Sequence, residues 1–341
     1  MKKVRNGFVK NLHYLWLAGV IALGLMTIVA TGGGGGDGGG AGGAPPPGIS
    51  YTGIKDPAPI DKNNAEGLTV GAYEGGRTGA AIGQLGAVQT EQSGSIGYSR
   101  ILKVSQVLEG SLRQVDLMSR SGETFIDKIY TETGTIDGNC GGSASYTISV
   151  DDQTGDFSGS LSFSNYCEDG VTISGAVSFS GKVDLVTEEL VRFSLSFSTL
   201  SGTSGSDSFT LNGSITTDLT VYPYVMTMSM LLRDNSTDKV YWVKDYTMIV
   251  TEGAGYMDVE LSGTYYDPDY GYIAFITTVP FRISYGDESP SAGTLIVTGE
   301  TGSAGGSTMA RLTVLSSTTY QVEADTNGDG TYDWDSGILY W

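Results

Sequence analysis

Histidine is nearly absent from this sequence of 341 residues, and the single one, His13, lies close to the N-terminus. A Ser-His-Asp or Cys-His nucleophile and a His-liganded zinc, iron or haem site all require an imidazole. Residues 14–341 therefore exclude these kinds of catalytic and cofactor site. We expect the protein not to be an enzyme.

Cysteine is also scarce, with Cys140 and Cys167 as the only two. Two cysteines in a chain exported to an oxidising compartment are expected to form a disulfide bond. A reactive thiol is the alternative, but no imidazole accompanies either cysteine to act as its base. We therefore predict a disulfide between Cys140 and Cys167.

Basic residues are half as frequent as acidic ones, with 19 Lys and Arg against 38 Asp and Glu and a formal net charge of −19. A surface of this charge repels polyphosphates and anionic lipid head groups. We therefore expect no binding to nucleic acid, whereas the binding of cations is favoured.

The first 30 residues have the pattern of a secretory signal peptide. The first ten carry four basic residues and no acidic one, and an apolar run follows at 15–30. A membrane-spanning helix needs ~20 apolar residues, so the run is short for a retained anchor. We expect export across the inner membrane and cleavage between Ala30 and Gly33. A retained anchor, which would bring membrane contact, is the alternative.

Residues 28–31 resemble the lipoprotein box of bacterial envelope proteins, except that Thr31 replaces the cysteine that those proteins acylate. Threonine has no thiolate, so we expect no lipid anchor. The Gly- and Pro-rich composition that follows predicts a flexible tether over residues 31–66.

Beyond the tether we distinguish an N-terminal segment at 67–122 from an antiparallel β domain at 123–341. Apolar residues at steps of three and four predict one amphipathic helix at about 100–119, packed against the sheet. These residues are Ile101, Val104, Leu108, Leu112 and Val115.

From residue 144 onward, apolar and hydroxyl-bearing residues alternate, which is typical of strands with one buried and one exposed face. About a dozen such strands, joined by Gly, Asp and Ser turns, follow one another to the C-terminus. The sequence therefore predicts an all-β fold, a large antiparallel meander curled into a barrel or a sandwich.

The register of the first two hairpins is also predicted. A turn at residues 153–154 brings the apolar residues of both strands opposite each other, and the same register places Cys140 opposite Cys167. A three-residue turn at 168–170 then sets strand glycines opposite phenylalanines. The hydrophobic pattern and the cysteine positions agree, which supports the disulfide.

The strongest chemical motif lies near the C-terminus, at residues 325–333. Oxygen ligands at alternate positions and a glycine at the sixth reproduce the first nine positions of an EF-hand loop, and the segment resembles the shortened calcium loops of extracellular repeats. The candidate Ca²⁺ ligands are Asp325, Asn327, Asp329, Thr331 and Asp333. We predict a structural calcium site, with a plain acidic turn as the alternative, and expect no other cofactor.

Tyrosine is abundant, with 20 residues. Exposed tyrosines are a candidate platform for stacking sugars, while ordinary strand composition is the alternative explanation. The platform candidates are Tyr222, Tyr224, Tyr265, Tyr266, Tyr270 and Tyr272. Carbohydrate is therefore the candidate ligand class.

Three classes of function stay open. The leading one is an exported cell-envelope or extracellular β domain of structural or ligand-binding type, in the periplasm, at the outer membrane or outside the cell. An outer-membrane β-barrel is second, although alternation back from Trp341 would put Asp333 and Asp335 on its lipid face. A glycoside hydrolase with two carboxylates is third, because that chemistry needs no histidine.

The chain as a whole resembles a group of uncharacterised exported, lipoprotein-like proteins of Gram-negative bacteria. The likeness comes from the order of signal peptide, polyglycine tether, Ser-rich meander with a cysteine pair, and the closing sequence VEADTNGDGTYDWDSGILYW. It is strongest over residues 138–180 and 290–341. The resemblance implies an envelope location and no activity, and Thr31 departs from the lipidated members.

Overall fold

The computed structural model describes residues 48–83, 129–168, 170–186, 190–205, 207–285, 287 and 289–341. They form one helix, α1 (Ala65–Gly83), and fourteen strands. The strands are β1 (Ile129–Asp137), β2 (Gly141–Asp151), β3 (Asp156–Glu168), β4 (Val171–Val183), β5 (Leu190–Ser204), β6 (Asp207–Asp218), β7 (Tyr224–Asp234), β8 (Lys239–Gly253), β9 (Tyr256–Asp267), β10 (Gly271–Ser284), β11 (Ala292–Thr301), β12 (Ser307–Ser316), β13 (Thr319–Asp325) and β14 (Trp334–Tyr340). The predicted signal peptide, residues 31–47 of the predicted tether and the predicted helix at 100–119 lie outside the described residues.

The fourteen strands make one sheet in which each strand pairs with its neighbours in sequence, in the order β1 to β14. All these pairs are antiparallel, and the two outermost strands, β1 and β14, are edges of the described sheet. The predicted all-β meander is thereby confirmed. Strand β1 was not among the predicted strands, because its sequence does not alternate between apolar and polar residues. Among its described side chains, only that of Ile136 is buried.

One face of the sheet carries the core. Large side chains such as Phe179, Leu195 and Ile215 are buried on this face, while the residues between them, including Ser160 and Ser196, are exposed. Alternation along each strand therefore separates an apolar face from a hydroxyl-rich one. Most of the apolar face belongs to a single cluster that extends from β1 to β13.

Helix α1 lies on the apolar face. Its residues Leu68, Ala72 and Tyr73 belong to the core cluster, and the helix contacts β6 to β9 and β11 to β13. Strands this far apart in the sheet order reach one 19-residue helix because the sheet curls around it. Within the described residues, no helix combines the length and apolarity that a membrane span requires.

The chain reaches α1 by crossing the sheet. The backbone of Tyr272 in β10 exchanges hydrogen bonds with Asp56 and Ala58, at 3.0 and 2.7 Å, and the Glu300 amide of β11 donates to the carbonyl of Ala58 at 2.8 Å. Residues 56–58 thus occupy the position between the ends of β10 and β11. Ile60, which follows this crossing, is buried in the core.

Residues 48–55 lie on the opposite, outer face, where Tyr51 packs against Tyr266 and Trp242 with ring centroids 5.3 and 6.1 Å apart. The predicted tether at 31–66 is therefore too long, because residues from 48 onward are packed against the sheet. Pro57 pairs with Tyr272 where the chain crosses the sheet, and the buried residues Ala58 and Ile60 anchor that crossing.

The register of the β2–β3 hairpin agrees with the prediction from Ser143 to Val150, where Val150 pairs with Phe157. A β-bulge between Gly141 and Ser143 then shifts the pairing, so that Cys167 faces Gly141 and not Cys140. The predicted disulfide is nevertheless present, with a distance of 5.1 Å between its two Cα atoms. The bulge brings Cys140 beside Cys167 without direct pairing.

The β3–β4 connection differs from the predicted three-residue turn. Glu168 pairs with Val171, so only two residues separate the strands. A bulge between Phe163 and Tyr166, with Asn165 at a φ of 48°, restores the predicted pairing of Phe163 with Gly175. The bulge supplies the extra residue that the prediction had placed in the turn.

Candidate functional site

Three loops on alternate strand connections meet at one end of the sheet. They are the β6–β7 loop at 219–223, the β8–β9 turn at 254–255 and the β10–β11 loop at 285–291. In an antiparallel meander, connections that alternate along the chain lie at the same end. We call the residues that these loops bring together, Tyr222, Tyr224, Glu252 and Tyr285, the tyrosine mouth.

The tyrosine mouth lies at the rim of the apolar face. Tyr224 pairs with Val250 and Glu252 pairs with Met257, and both of these partners belong to the core cluster. Residues that pair directly across an antiparallel ladder point to the same face. At this end of the sheet, Tyr224 and Glu252 are therefore the outermost residues of β7 and β8 on the core face.

Hydrogen bonds hold the two exposed tyrosines at this rim. The Tyr222 hydroxyl donates to the backbone carbonyl of Glu252 at 3.0 Å, and the Tyr285 hydroxyl lies 3.5 Å from the carbonyl of Gly253. The rings of Tyr222 and Tyr224 meet edge to face, with centroids 5.5 Å apart. Tyr222 is 54% exposed and Tyr285 38% exposed, so both rings are fixed at their hydroxyl ends and open to solvent.

The carboxylate of Glu252 has an unusual environment for a side chain at a loop end. Partial burial raises its pKa, and no basic side chain of the described residues forms an ion pair with it. Burial raises the pKa of Tyr285 as well, with further contributions from the negative charge of Glu252 and from Tyr222. The negative charge of Glu252 is therefore close enough to Tyr285 to disfavour ionisation of its hydroxyl.

Arg282 lies close to this end in β10, but other groups engage it. Its guanidinium donates to both carboxylate oxygens of Asp258 at 2.9 Å and lies 4.1 Å from the centroid of the Tyr256 ring. Asp258 and Tyr256 point to the outer face, because they alternate with Met257 of the core. The charge of Arg282 is therefore compensated away from the tyrosine mouth.

The six tyrosines that were predicted as a sugar platform do not form one surface. Tyr265 is buried in the core, and Tyr266 and Tyr272 lie in the outer-face cluster that Tyr51 covers. Tyr270 lies in the β9–β10 turn at the opposite end of the sheet. Tyr222 and Tyr224 come together at the tyrosine mouth, and Tyr266 and Tyr272 come together on the outer face.

Sequence reasoning missed two residues of the tyrosine mouth, Glu252 and Tyr285. Each lies at the end of a long alternating strand, next to a glycine or a loop. Counting the strands would have placed these ends beside Tyr222, since β6–β7, β8–β9 and β10–β11 are alternate connections. The strand order was the available signal.

The predicted calcium loop follows β13 at the other end of the sheet. Asp325 is fully buried, and its carboxylate accepts backbone N–H groups of Gly328 at 2.8 Å, Gly330 at 2.7 Å and Asp329 at 3.3 Å. Its oxygen atoms thus organise the turn from inside, as capping aspartates do.

The remaining predicted calcium ligands also make hydrogen bonds within the loop. Asn327 and Asp329 accept backbone N–H groups two residues ahead, at 2.8 and 2.7 Å, and Asp333 accepts the backbone N–H and the hydroxyl of Thr326. No group of three or more His, Cys, Asp or Glu side chains in the described residues is arranged to hold a metal ion. These hydrogen bonds are those of an acidic turn, and calcium binding stays a prediction.

Comparison of the chain with protein-family models, with curated proteins and with solved structures gives no match. The functional argument therefore depends on the geometry of the residues themselves.

Proposed function

We propose that the protein is an exported cell-envelope or extracellular β domain that binds a carbohydrate ligand at the tyrosine mouth. The observation that carries the proposal is the pair of exposed rings, Tyr222 and Tyr285, whose hydroxyls are held by the neighbouring backbone carbonyls of Glu252 and Gly253. Aromatic faces provide flat apolar contact area, and a carboxylate accepts hydrogen bonds from hydroxyl groups. The mouth of a curled sheet is also a common place for a ligand.

Export is supported by two features outside the mouth. The N-terminal residues have the charge and hydropathy order of a signal peptide. The Cys140–Cys167 bond is the kind of cross-link that persists in oxidising compartments outside the cytoplasm. Both features favour the cell envelope or the extracellular space as the place of function.

The polar outer face favours this proposal over an outer-membrane barrel. Exposed residues there include Ser160, Ser196 and Ser214, and ion pairs such as Arg282 with Asp258 occur on the same face. A sheet that spans a membrane places its apolar residues outward, towards lipid. In this chain the apolar residues are on the opposite face, around α1.

Binding without hydrolysis is the form that we propose. A glycoside hydrolase needs two carboxylates about 5 to 9.5 Å apart on either side of the scissile bond. In the tyrosine mouth, Glu252 is the only carboxylate among the four side chains that define it. Release of reducing ends from a bound oligosaccharide would contradict the proposal of a pure binding site.

The test is binding of oligosaccharides, first on a glycan array and then by calorimetry with the protein after export. Replacement of both Tyr222 and Tyr285 by Ala should weaken binding about 10- to 100-fold, since each aromatic contact contributes about 1 kcal/mol. Tyr270→Ala is the matched control, because Tyr270 is 40% exposed but lies at the opposite end. Absence of binding to any glycan, or equal losses in the control, would contradict the proposal.

A further inference from the structure

We propose that the outer face of strands β2 to β7 adsorbs to ice. This inference goes beyond the proposed function and does not depend on the tyrosine mouth. It is carried by two unbroken rows of hydroxyl-bearing side chains that cross these six paired strands on the outer face.

Each row is a chain of directly paired residues, one from each strand, so neighbouring members lie side by side on the sheet. No register shift interrupts the pairing within either row. The first row consists of Ser149, Ser158, Ser180, Ser194, Thr216 and Thr227. The second row consists of Thr147, Ser160, Ser178, Ser196, Ser214 and Ser229. We call them the hydroxyl rows, because every member is a serine or a threonine.

The side chains of the hydroxyl rows point away from the core. They alternate along their strands with residues of the core cluster, such as Leu161 and Leu195. Ser160, Ser196 and Ser214 of the second row are exposed. A hydroxyl group both donates and accepts hydrogen bonds and rotates to suit its partner. The rows therefore present a continuous set of adaptable hydrogen-bonding groups to whatever lies outside.

The hydroxyl rows repeat regularly in two directions. Neighbouring strands lie about 4.7 to 4.9 Å apart, and residues two apart in one strand, such as Ser158 and Ser160, lie about 6.8 Å apart. Side-chain ladders of this kind are also one way in which a sheet stays flat over many strands. The strand spacing is close to the shortest repeat of the lattice of ordinary ice. Water molecules bound along a row can therefore take positions of that lattice.

The hydroxyl rows are uncharged, although the protein has a net charge of −19. Charged side chains begin in the next row towards the tyrosine mouth, with Asp156, Lys182, Arg192 and Asp218. An ice surface is likewise uncharged and consists only of hydrogen-bond donors and acceptors. The two surfaces are complementary, since no ion has to leave liquid water when they meet.

Other partners fit the hydroxyl rows less well. Protein interfaces depend mainly on a few aromatic and Arg side chains, and sugars stack on aromatic faces. Nucleic acid requires basic groups. The twelve side chains of the rows include none of these kinds. One hydroxyl gains little by exchanging one water contact for another, but many hydroxyls in register act together on a rigid lattice.

The test is the ice affinity of the full exported chain. Ice is grown slowly from a dilute solution of the protein, and the amounts of protein in the ice and in the remaining liquid are compared. The shape of single growing crystals is followed under a microscope. We expect the protein to be concentrated in the ice and to change the crystal shape. Exclusion from the ice with unchanged crystals, as for an ordinary solute, would overturn the proposal.

Ser196→Tyr places a ring in the middle of the second row and should remove both effects, because the ring holds the neighbouring hydroxyls away from the ice. The position is exposed and tyrosine is favourable in strands, so the variant should stay folded, which its melting temperature checks. Ser214→Tyr is a second variant with the same expected loss. Ser196→Thr keeps the hydroxyl and should keep ice affinity.

Thr313→Tyr is the matched control. Thr313 lies on the outer face of β12, outside the hydroxyl rows, because it alternates with Leu312 and Val314 of the core. Equal losses in Thr313→Tyr and Ser196→Tyr, or full ice affinity in Ser196→Tyr, would overturn the proposal. Binding to insoluble cellulose or chitin without ice affinity would also overturn it and assign the face to a polysaccharide. The glycan test of the tyrosine mouth is separate, so either proposal can fail alone.

Discussion

Two carboxylates, Asp325 and Glu252, differ in how deeply they are buried and in the hydrogen-bond donors that reach them. Asp325 is fully buried, and three backbone N–H groups satisfy its oxygens, so it stabilises the loop around it. Glu252 is partly buried, no donor among the described residues reaches its carboxylate, and burial raises its pKa. The first arrangement favours stability, and the second makes the ionised form of the carboxylate less favourable.

Asp325→Ala should lower the free energy of unfolding by at least about 3 kcal/mol, because hydrogen bonds to a charged group contribute about 1.5 to 3 kcal/mol each and the two short ones, from Gly328 and Gly330, are lost together. Urea unfolding measures the change. Asp329→Ala is the control, because exposed Asp329 accepts the amide of Thr331 where water can replace it, and its loss should be smaller. Equal losses in the two variants would contradict the organising role of Asp325.

Glu252→Gln should stabilise the fold at neutral pH. Burial raises the folded-state pKa of Glu252 above its ordinary value, so the folded protein holds this proton more tightly than the unfolded chain does. The stability from protonation is therefore lost as the pH rises from the unfolded pKa through the folded pKa. Melting temperatures from about pH 4 to 8 should show a gain in the variant that grows with pH. A variant that melts lower at neutral pH would show that ionised Glu252 is stabilising.

At the scale of elements, alternation predicts the strands well and local backbone irregularities poorly. Side chains at alternate positions report which face is buried, and the predicted pairing of Val150 with Phe157 is correct. The bulges near Gly141 and Asn165 add residues that no side-chain pattern marks. The position of Cys140 and the length of the β3–β4 turn were missed for this reason.

Helix α1 was not predicted, because its sequence is a poor helix former. It contains six glycines, at 67, 71, 75, 76, 79 and 83, each of which lowers helix propensity. Tertiary packing explains why the helix forms there: Leu68 is fully buried, and a side chain at Gly71 would meet the ring of Tyr265 at 2.8 Å. The close approach of helix and sheet at Gly71 depends on contacts distant in sequence.

The disulfide between Cys140 and Cys167 closes a loop with a sequence separation of 27. Replacing both cysteines by Ser should lower the free energy of unfolding by about 3.5 kcal/mol in the chain-entropy model. Chemical unfolding of the wild type with and without reductant should give the same difference. Reductant should not change the double variant, and a further loss there would show that the reductant acts on something other than this bond.

Calcium binding by the loop at 325–333 is a prediction that melting experiments can check. If Ca²⁺ binds there, millimolar calcium should raise the melting temperature above that in chelator, since the ion stabilises the state that binds it. Asp329→Ala should remove the increase. Equal melting temperatures of the wild type in calcium and in chelator would mean that the loop is an acidic turn.

At the scale of the whole molecule, the main division is between a hydroxyl-rich outer face and an apolar face wrapped around α1. The alternating strands predicted this division. The route by which the chain passes from the outer face to α1 was not predictable. Residues 56–58 pass between β10 and β11, which are more than two hundred residues away in sequence. The tyrosine mouth, likewise, exists only because three alternate loops meet at one end.

The central claim is that the ligand binds at this end of the sheet, and hydrogen–deuterium exchange of the full exported chain tests it most directly. The ligand is the oligosaccharide that binds most tightly in calorimetry. Bound ligand should slow exchange in residues 219–224, 252–256 and 284–291, and leave residues 302–306 and 326–333 at the opposite end unchanged. Slower exchange at the opposite end, or no change at the mouth under saturating ligand, would contradict the claim.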